Sequence, residues 1–366
     1  MAEKRYREEQ IKQKATKRRR RKRRKKHRSL LGTVLLVFLV CVLLVGGTLF
    51  YLSNRMLSRI ERVDKSEEVW IPPAEVTIPV EIPELPEAGG EPEIPSADTI
   101  TPESVQWTAP VKAAPKPKVK NILLIGQDRR PGEDRARSDV MILCSLNEDT
   151  REISLISFMR DMYVPFPGDY EPSRMNHSFA WGGMSLLDQL IEEDFGITID
   201  GNVVIDFNGF ISAMNLIAPL NIELKTYEVG YFNTFTDWGL HVGVNALNGE
   251  QLLAYARLRE MGHGDWERTE RQRTVLQAAF QKVKNLSLKE LTDLANAALP
   301  CFSTDMSNTD IMNLIYAVVT NRMTIAGTYR LPIDGSYSEE IIYGMAVLVP
   351  DLEANSAYLH RCIYGS

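Results

Sequence analysis

Short apolar runs and helix-spaced apolar positions alternate along the middle of the chain. The runs predict strands over 119–125, 140–146 and 153–158, and the polar turn between the last two predicts a hairpin. Helical spacing predicts helices over 183–195 and 208–217. The pattern therefore switches repeatedly between the periods of strand and helix.

The second half of the chain continues this alternation. Further elements are predicted from the same signals and from capping residues: strands over 203–206 and 220–224, and helices from Asn248, Asp265 and Ser287 and over 311–320. Because strands and helices interleave, we predict an α/β fold, a three-layer α/β/α arrangement with a central mixed sheet.

A long uncharged segment over 30–52 precedes these elements. Its 23 residues would form a helix of about 34 Å, enough for a hydrocarbon core of ~30 Å. Lys and Arg crowd residues 17–28, which places that side in the cytoplasm. A cleaved signal peptide is the alternative, but its apolar core usually has only about 7–15 residues. We predict one transmembrane signal-anchor helix, a cytoplasmic N-terminus and an extracytoplasmic remainder at the cell membrane.

Charge is distributed unevenly on the two sides of that segment. Residues 1–29 hold 16 Lys or Arg and 3 Asp or Glu, whereas the rest of the chain holds 27 and 45. The basic tail fits contact with anionic membrane lipid. The acidic remainder lies across the membrane from any chromosome, so nucleic acid is excluded as a partner.

Composition divides the exported part into three regions. Residues 53–118 hold 11 of the 19 prolines and predict an extended linker. Residues 119–285 carry the candidate chemistry and form the predicted catalytic domain, and 286–366 are predicted to be a helical C-terminal extension packed on it. Cys301 and Cys362 either form one disulfide or remain free thiols.

Two carboxylates stand next to predicted strand ends. Asp128 follows one strand and Asp139 begins the next, so both reach one sheet edge if the strands are neighbours. Paired carboxylates suit Mg²⁺, or Mn²⁺ in its place, with substrate phosphate oxygens completing the coordination. The alternative is that both side chains only solvate a loop or pair with nearby arginines.

Two further positively charged positions stand at element ends. Arg160 and Asp161 follow a predicted strand. Arg174 and Asn176 precede a helix start, where free N–H groups favour anions. If these ends meet at the same sheet edge, they add cations to the candidate carboxylate site.

A third group of basic residues lies near the start of a later helix. Arg268, Arg271 and Gln272 are spaced to share one helix face. Arg273 points away from that face, and we predict that it lies in solvent among salt bridges.

Arg257 and Arg259 are two positions apart and would diverge on a helix. Both reach one site only if the helix ends near Ala256 and the chain becomes extended. Several guanidinium groups beside carboxylates, in an acidic body, indicate a strongly anionic ligand. Since arginine matches phosphate oxygens bidentately, pyrophosphate is the natural candidate. The alternative is a solvated, salt-bridged helix.

These stretches, in this order, resemble the LytR-CpsA-Psr family of cell-envelope phosphotransferases. The motifs that carry the resemblance are Leu124-Ile-Gly-Gln-Asp128, Arg137-Ser-Asp139, Arg160-Asp161, Asn176 with Gly182-Gly183, Ile205-Asp-Phe207, Leu247 to Arg259, and Asp265 to Gln272. The resemblance covers about residues 120–285 and implies an α/β/α fold with a deep apolar pocket for a polyprenyl chain.

By position, the resemblance implies roles for individual side chains. Asp128 and Asp139 would be the metal-associated acids and, with Arg160 and Asp161, the catalytic residues. Pyrophosphate binding would fall to Arg137, Arg174, Asn176, Arg257, Arg259, Arg268, Arg271 and Gln272, beside Arg160.

The chain departs from the family pattern at three places. Arg174 stands where a lysine is common, which keeps the charge but changes the donor geometry. His177 replaces a small residue, and the sequence over 214–220 differs, so the shape of the adjacent pocket stays open.

The resemblance implies transfer of a phosphoglycopolymer from a polyprenyl-pyrophosphate carrier to a peptidoglycan sugar hydroxyl. The carrier-linked glycan, peptidoglycan and membrane lipid are then the partners, while Mg²⁺ and arginines stabilise phosphoryl charge. The base is Asp128, Asp139 or Asp161. Two alternatives remain, a polyprenyl-pyrophosphate pyrophosphatase and a non-catalytic membrane regulator that senses carrier lipid.

Overall fold

The computed structural model describes residues 54–69, 98–112, 116, 118–129, 135–168, 170–259 and 264–365. The chain divides into two units, Met1–Leu57 and Ser58–Ser366, and the second holds every element described below. The predicted cytoplasmic tail and membrane helix lie outside the described residues. Within the described ranges, none of the helices combines the length and hydropathy of a membrane span.

Strands occur before, within and after the predicted catalytic domain. In chain order they are β1 (Glu61–Arg62), β2 (Asp98–Thr99), β3 (Val119–Gln127), β4 (Ser138–Asn147), β5 (Glu152–Phe158), β6 (Tyr163–Val164), β7 (Ser173–Arg174), β8 (Gly201–Asp206), β9 (Leu220–Leu224), β10 (Gly243–Leu247), β11 (Ser303–Thr304), β12 (Thr324–Leu331), β13 (Tyr337–Ile342) and β14 (Met345–Pro350). The predicted strands over 119–125, 140–146, 153–158, 203–206 and 220–224 are therefore confirmed.

Several of the helices begin where a polar side chain caps free backbone N–H groups. The helices are α1 (His177–Phe195), α2 (Phe207–Ile217), α3 (Thr226–Phe235), α4 (Gly249–Arg257), α5 (Asp265–Lys284), α6 (Leu288–Ala298), α7 (Asn308–Thr320) and α8 (Leu352–Tyr364). Asp206, Asn248 and Ser287 accept hydrogen bonds at the starts of α2, α4 and α6. Gly196 ends α1 in the left-handed region that favours glycine.

The main sheet has seven strands in the order β1-β11-β8-β3-β4-β5-β12. Strand β3 runs parallel to β8 and antiparallel to β4, and β5 runs parallel to β12. The predicted central mixed sheet is confirmed. The ends of β3, β5, β8 and β12 and the start of β4 share one edge, which we call the site edge.

Two hydrophobic cores cover the two faces of this sheet. On one face Leu123, Leu143 and Ile156 pack with residues of α1 and α8. On the other face Ile142 and Leu155 pack with residues of α5 and α7. The alternation of strand side chains thus builds helix, sheet and helix layers, as predicted. A further core joins the β9–β10 hairpin to α2, α3, α4 and α5.

The structure differs from the predicted linker over 53–118 at both of its ends. Strand β1 pairs with β11 at the edge of the main sheet, and β2 pairs with β13. The Trp107 ring stacks on Tyr163 with centroids 6.2 Å apart. Ile60, ahead of the prolines, is buried, and Trp107, between Pro102 and Pro110, packs against the main core, so both segments are attached to the domain.

The C-terminal region also differs from the predicted helical extension over 286–366. It supplies β11 and β12 to the main sheet, and β13 and β14 form a second sheet with β2. A domain boundary at residue 285 would therefore cut the main sheet. Cys301 and Cys362 are free thiols, so the disulfide alternative is wrong.

Candidate active site

Arg160 lies at the site edge, directly after β5, and three carboxylates surround it. Its Nη1 donates to Asp139 Oδ1 at 2.9 Å, and its Nε lies 3.1 Å from Asp265 Oδ2 and 3.5 Å from Asp161 Oδ1. Burial opposes the charge of Arg160, but the three carboxylates together raise its pKa above the usual value. Arg160 thus lies among acidic side chains at the site edge.

Three more guanidinium groups contact the same carboxylates. Arg268 Nη2 lies 3.1 Å from Asp265 Oδ2, and Arg259 Nε lies 3.4 Å from Asp265 Oδ1. Arg174 Nε lies 3.8 Å from Asp161 Oδ1. Together with the arginine after β5, these side chains bring cations from four separate points of the chain to one place.

The three carboxyls of the cluster ionise differently. Burial opposes the ionisation of Asp139 and Asp265, but nearby guanidinium groups hold the pKa of both below the usual value. For Asp161 burial prevails, with the charge of Asp265 adding to it, and its pKa rises to about 6. Of the three carboxyls in the cluster, Asp161 is therefore the one most easily protonated near neutral pH.

Arg271 and Gln272 do not join this cluster, in contrast to the assignment by position. Arg271 donates to Glu228 at 2.7 Å, to Glu267 at 2.8 Å and to the Leu258 carbonyl at 2.7 Å. Gln272 donates to the carbonyl of residue 256 at 3.4 Å. Both side chains are buried and hold the backbone that follows α4, since helix-end carbonyls lack partners within the helix.

Arg257 and Arg273 also lie apart from the carboxylate cluster. The Arg257 guanidinium lies 4.5 Å from the centroid of the Phe207 ring, at the last turn of α4. Arg273, predicted to be solvated, is buried and donates to Ser157 Oγ at 2.7 Å. Burial lowers the pKa of Arg273 to about 10. That prediction was wrong because the helix face opposite Arg268 packs against β5.

The start of α1 brings further polar groups to the site edge. The Asn176 N–H donates to the Arg160 carbonyl at 3.3 Å. His177 Nδ1 lies 2.8 Å from Ser173 Oγ, and burial with two nearby arginines lowers the pKa of His177 to about 3, so the ring is neutral. Asn176 Oδ1, His177 Nε2 and Arg268 Nε are buried and have no hydrogen-bond partner among the residues that the structure describes. Such groups are rare and mark places where a ligand or water supplies the partner.

Sequence reasoning missed the role of Glu68. Helix α1 is kinked at Gly182 and Gly183, and Gly183 has φ +65°. Beyond the kink, the N–H groups of Met184 and Ser185 donate to the two oxygens of Glu68 at 3.0 and 2.8 Å. The Gly-Gly pair within a helical pattern was the only local signal for this kink.

The two predicted metal residues lie near the site edge on adjacent segments. Gln127 pairs with Ser138, and the two aspartates lie on opposite sides of this pair: Asp128 follows β3 beyond the sheet edge, and Asp139 is the second residue of β4. Within the described ranges, no group of three or more His, Cys, Asp and Glu has the spacing of a metal site. Mg²⁺ often takes only one or two carboxylates together with phosphate oxygens and water, so the two aspartates fit such an ion.

The fold and this cluster define a class of protein, an α/β protein with a buried cluster of arginines and aspartates at the edge of its central sheet. A family model described as LytR_cpsA_psr matches residues 97–357. The chain belongs to the LytR_cpsA_psr family, and the predicted resemblance is confirmed. The match begins before the predicted catalytic domain and ends near the C-terminus, in agreement with the strands that both ends contribute.

Named relatives are similar over part of the chain. The polyisoprenyl-teichoic acid–peptidoglycan teichoic acid transferase TagU of Enterococcus faecalis is 33% identical over 202 residues, 53% of this chain and 64% of that protein. The regulatory protein MsrR of Staphylococcus aureus is 26% identical over 241 residues, 64% of this chain and 70% of that protein. The matched part thus spans less than two thirds of TagU.

Solved structures share the fold. YwtF (TagT) of Bacillus subtilis with bound octaprenyl pyrophosphate lipid is 23% identical, with a TM-score of 0.52 over 70% of this chain and 96% of that chain. The protein gbs0355 of Streptococcus agalactiae is 22% identical, with a TM-score of 0.56 over 67% of this chain and 88% of that chain. At these identities the likeness concerns the mixed α/β architecture alone.

Proposed function

We propose that this protein is a membrane-anchored, Mg²⁺-dependent phosphotransferase. It moves a glycopolymer phosphate from a polyprenyl-pyrophosphate carrier to a sugar hydroxyl of peptidoglycan. Family membership and the similarity to TagU, named as a teichoic acid transferase, support a glycopolymer transferase. The uncharged segment over 30–52 supports the anchor, with the domain outside the cell.

The convergence of arginines at the site edge is the observation that carries this proposal. Arg160, Arg174, Arg259 and Arg268 come from separate segments and meet around three carboxylates. Phosphate oxygens accept charge-assisted hydrogen bonds in the same geometry as carboxylate oxygens. A diphosphate can therefore replace part of this ion-pair network and also reach the unpartnered Nε of Arg268.

Packing beside the site supports a place for the lipid chain. On the sheet face covered by α5 and α7, Leu124, Val140 and Cys144 are only partly buried although they lie in central strands. Leu276 and Phe280 of α5 are partly buried in the same cluster. Covered sheet faces are normally filled to close packing. Apolar surface that stays accessible between these layers suits a polyprenyl chain.

The charges of the cluster indicate how the reaction proceeds. The acceptor hydroxyl oxygen bonds to the phosphorus that carries the glycan, and the bond from this phosphorus to the bridging oxygen breaks. The electron pair leaves on polyprenyl phosphate, whose charge the arginines stabilise. Asp161, with a pKa of about 6, takes the hydroxyl proton, whereas the pKa of Asp139 is lowered and suits it to remain an anion.

Asp128 and Asp139 would hold the Mg²⁺ ion. When bound, it supplies positive charge to the phosphate oxygens. All other steps in the proposal rest on the arginines and on Asp161.

The test uses the full chain in detergent, because strands on both sides of the predicted catalytic domain belong to the same fold: β1 pairs with β11, which joins the main sheet, and β2 pairs with β13. Mg²⁺, a short-chain prenyl-pyrophosphate glycan and a peptidoglycan disaccharide are added, and the products are separated. We expect a phosphodiester-linked product and prenyl phosphate. Released glycan phosphate without linked product would indicate a pyrophosphatase, and binding without turnover a regulator.

Arg259→Ala provides the matched variant, because its side chain is about one third exposed and its loss leaves the cores intact. Turnover should fall at least about 100-fold, the usual effect of losing one transition-state donor. Arg361→Ala removes an exposed arginine of α8 and should behave like the wild type. Equal turnover in both variants would contradict the proposed site.

A further inference from the structure

A polar cavity opens at the site edge, at the carboxyl ends of the parallel strands β3 and β8. Its volume is about 260 Å³, and we call it the β3–β8 cavity. Strand residues Gln127 and Val204, the start of α2 and the turn at Cys301 line it. In α/β sheets, ligands bind outside the carboxyl ends of parallel strands. None of its lining residues belongs to the arginine cluster described above.

The lining of the cavity suits an uncharged sugar. Two carboxylates, Glu61 and Asp206, face it beside one cation, Arg129, so its net charge is negative. This charge disfavours a phosphate. Asn208 and Ser212 add an amide and a hydroxyl that donate and accept hydrogen bonds, as sugar hydroxyls require.

Neighbouring groups already hold the two carboxylates in place. Asp206 Oδ1 accepts the Gly209 N–H at 2.8 Å, and Asp206 Oδ2 lies 3.3 Å from Arg129 Nη2. Glu61 Oε2 accepts from Ser303 Oγ at 2.6 Å. A ligand therefore meets acceptors that are fixed in advance, which reduces the entropy lost on binding.

The cavity lies beside the proposed phosphoryl-transfer centre. Gln127 and Arg129, which line it, flank Asp128 in the chain. Strand β4 with Asp139 is the next strand, and β5, which ends before Arg160, is the one after it. Since adjacent strands are about 4.8 Å apart, the end of β5 lies roughly 10 Å from the end of β3.

We propose that the β3–β8 cavity binds a sugar ring of the acceptor glycan. The inference rests on the proposed function and specifies where its second substrate lies. The arginine cluster takes the anionic diphosphate, and the negatively charged cavity takes the neutral sugar, so charge sorts the two substrates. The hydroxyl of the bound glycan then faces the diphosphate, and its proton passes to Asp161 as the new phosphorus–oxygen bond forms.

The experiment fills the cavity without touching the arginine cluster. Ser212→Trp places a large ring there from an exposed position of α2, and Asn208→Ala removes one hydrogen-bonding group. Leu216→Trp is the matched control, because Leu216 is 46% exposed on the same helix and does not line the cavity. The full chain in detergent is assayed with the prenyl-pyrophosphate glycan and the peptidoglycan disaccharide.

Ser212→Trp should raise the KM for the disaccharide at least about tenfold, which corresponds to about 1.4 kcal/mol. The affinity for the prenyl-pyrophosphate glycan should stay within about twofold of the wild type, since no donor contact changes. Asn208→Ala should raise the same KM by a smaller factor, and it provides the test if the tryptophan variant does not fold. Leu216→Trp should match the wild type.

Two outcomes would overturn the inference. One is an unchanged KM for the disaccharide in both cavity variants, and the other is an equal loss of donor affinity, which would assign the cavity to the carrier-linked glycan. Saturation-transfer NMR of the disaccharide with the wild type, Ser212→Trp and Leu216→Trp measures acceptor binding without turnover. A wild type that binds the disaccharide but never consumes the donor would contradict the proposed function alone.

Discussion

Asp161 and Asp265 are neighbours, yet the pKa of Asp161 is raised and the pKa of Asp265 is lowered. Asp265 contacts three guanidinium groups at 3.1–3.4 Å, which lower its pKa despite burial. Asp161 contacts two at 3.5 and 3.8 Å, so burial and its acidic neighbour prevail and its pKa rises. The guanidinium groups around Asp265 and the hydrogen bond between the two carboxyls thus favour the charge on Asp265 and the proton on Asp161.

The rate of transfer should depend on the ionisation of Asp161. Because its pKa is raised to about 6, the carboxyl is protonated below that pH and accepts a proton only above it. The kcat should therefore fall as the pH drops through about 6, measured from pH 5 to 8. Asp161→Asn should remove this limb and lower the rate at least about 100-fold.

Asp149→Asn serves as the control for this profile, since Asp149 is exposed at the opposite edge of the main sheet. Its profile should match that of the wild type. A limb near pH 6 that persists in Asp161→Asn would exclude Asp161 as the base.

At the scale of elements, α3 and α5 together fix the segment after α4. Glu228 of α3 is buried and pairs with Arg271, which in turn donates to the Leu258 carbonyl. That carbonyl lies between Arg257 and Arg259 in the chain. This network therefore holds the backbone extended after α4. As a result, Arg259 points to Asp265 and Arg257 points to the Phe207 ring.

Glu228→Gln should weaken this positioning without touching the substrate. The amide keeps one hydrogen bond but removes the charge that Arg271 requires, so stability should fall by about 1–3 kcal/mol. The KM for the prenyl-pyrophosphate glycan should rise as Arg259 loses its fixed place. Thermal unfolding and steady-state kinetics measure the two effects, with the exposed Glu223→Gln as control. Loss of stability with an unchanged KM would limit Glu228 to a structural role.

The segment before the prolines docks on α1 through its acidic and basic side chains. Glu68 binds the N–H groups exposed at the kink of α1, and Lys65 lies 2.7 Å from both Asp188 and Asp305. These contacts hold the residues that form β1 against the domain. Since β1 contributes Glu61 to the β3–β8 cavity, this docking also shapes the proposed acceptor site.

Glu68→Ala should detach this segment locally. Two helical N–H groups would lose their acceptor, at a cost of about 1–3 kcal/mol. Hydrogen exchange over 58–69 should accelerate, while Glu67→Ala, an exposed neighbour, should exchange like the wild type. Equal protection in both variants would show that Lys65 and β1 pairing suffice.

Sequence patterns predicted the strands and helices that are specified by residues within the element itself. They did not predict strands that form only by pairing with a segment far away in the sequence. The strands of the β3–β4–β5 meander and the capped helices were predictable from period and caps alone. Strands β1 and β2 have two residues each and are strands only because β11 and β13 lie beside them. No local pattern contains that information.

The candidate site was predictable to the same extent. Arg160 was selected because it follows a predicted strand, Arg259 because the chain could become extended after Ala256, and Arg268 because of its helical spacing. Arg271 was assigned to the ligand because helical spacing placed it beside Arg268. Its partner Glu228 lies on α3, a helix that was not predicted.

At the scale of the whole molecule, both ends of the chain complete the main sheet. Strands β1 and β11 extend it beyond β8, and β12 covers the free edge of β5. Helices α7 and α8 then cover its two faces. The folding unit therefore includes both the described segments that precede β3 and the C-terminal strands and helices.

A chain truncated after Lys284 should not form a stable domain. This fragment lacks β11, β12 and the helices α7 and α8 that cover the sheet. An apolar face of the sheet and the edge of β5 are therefore exposed to solvent. We expect aggregation and the loss of cooperative thermal unfolding measured by circular dichroism. A chain ending at Tyr364 keeps every element and should unfold like the full chain. If the chain truncated after Lys284 were soluble and unfolded cooperatively, the C-terminal strands would not be part of the folding unit.

The pairing of β12 with β5 also determines how much of the chain must be synthesised before the main sheet can be completed. Ile325 and Ile153 face each other in that pair although more than half of the domain separates them along the chain. Contacts of such long range form late in folding. The ribosome must therefore synthesise the chain through Leu331 before β5, the strand ahead of Arg160, gains its second neighbour, so a shorter nascent fragment lacks part of the sheet that holds the arginine cluster.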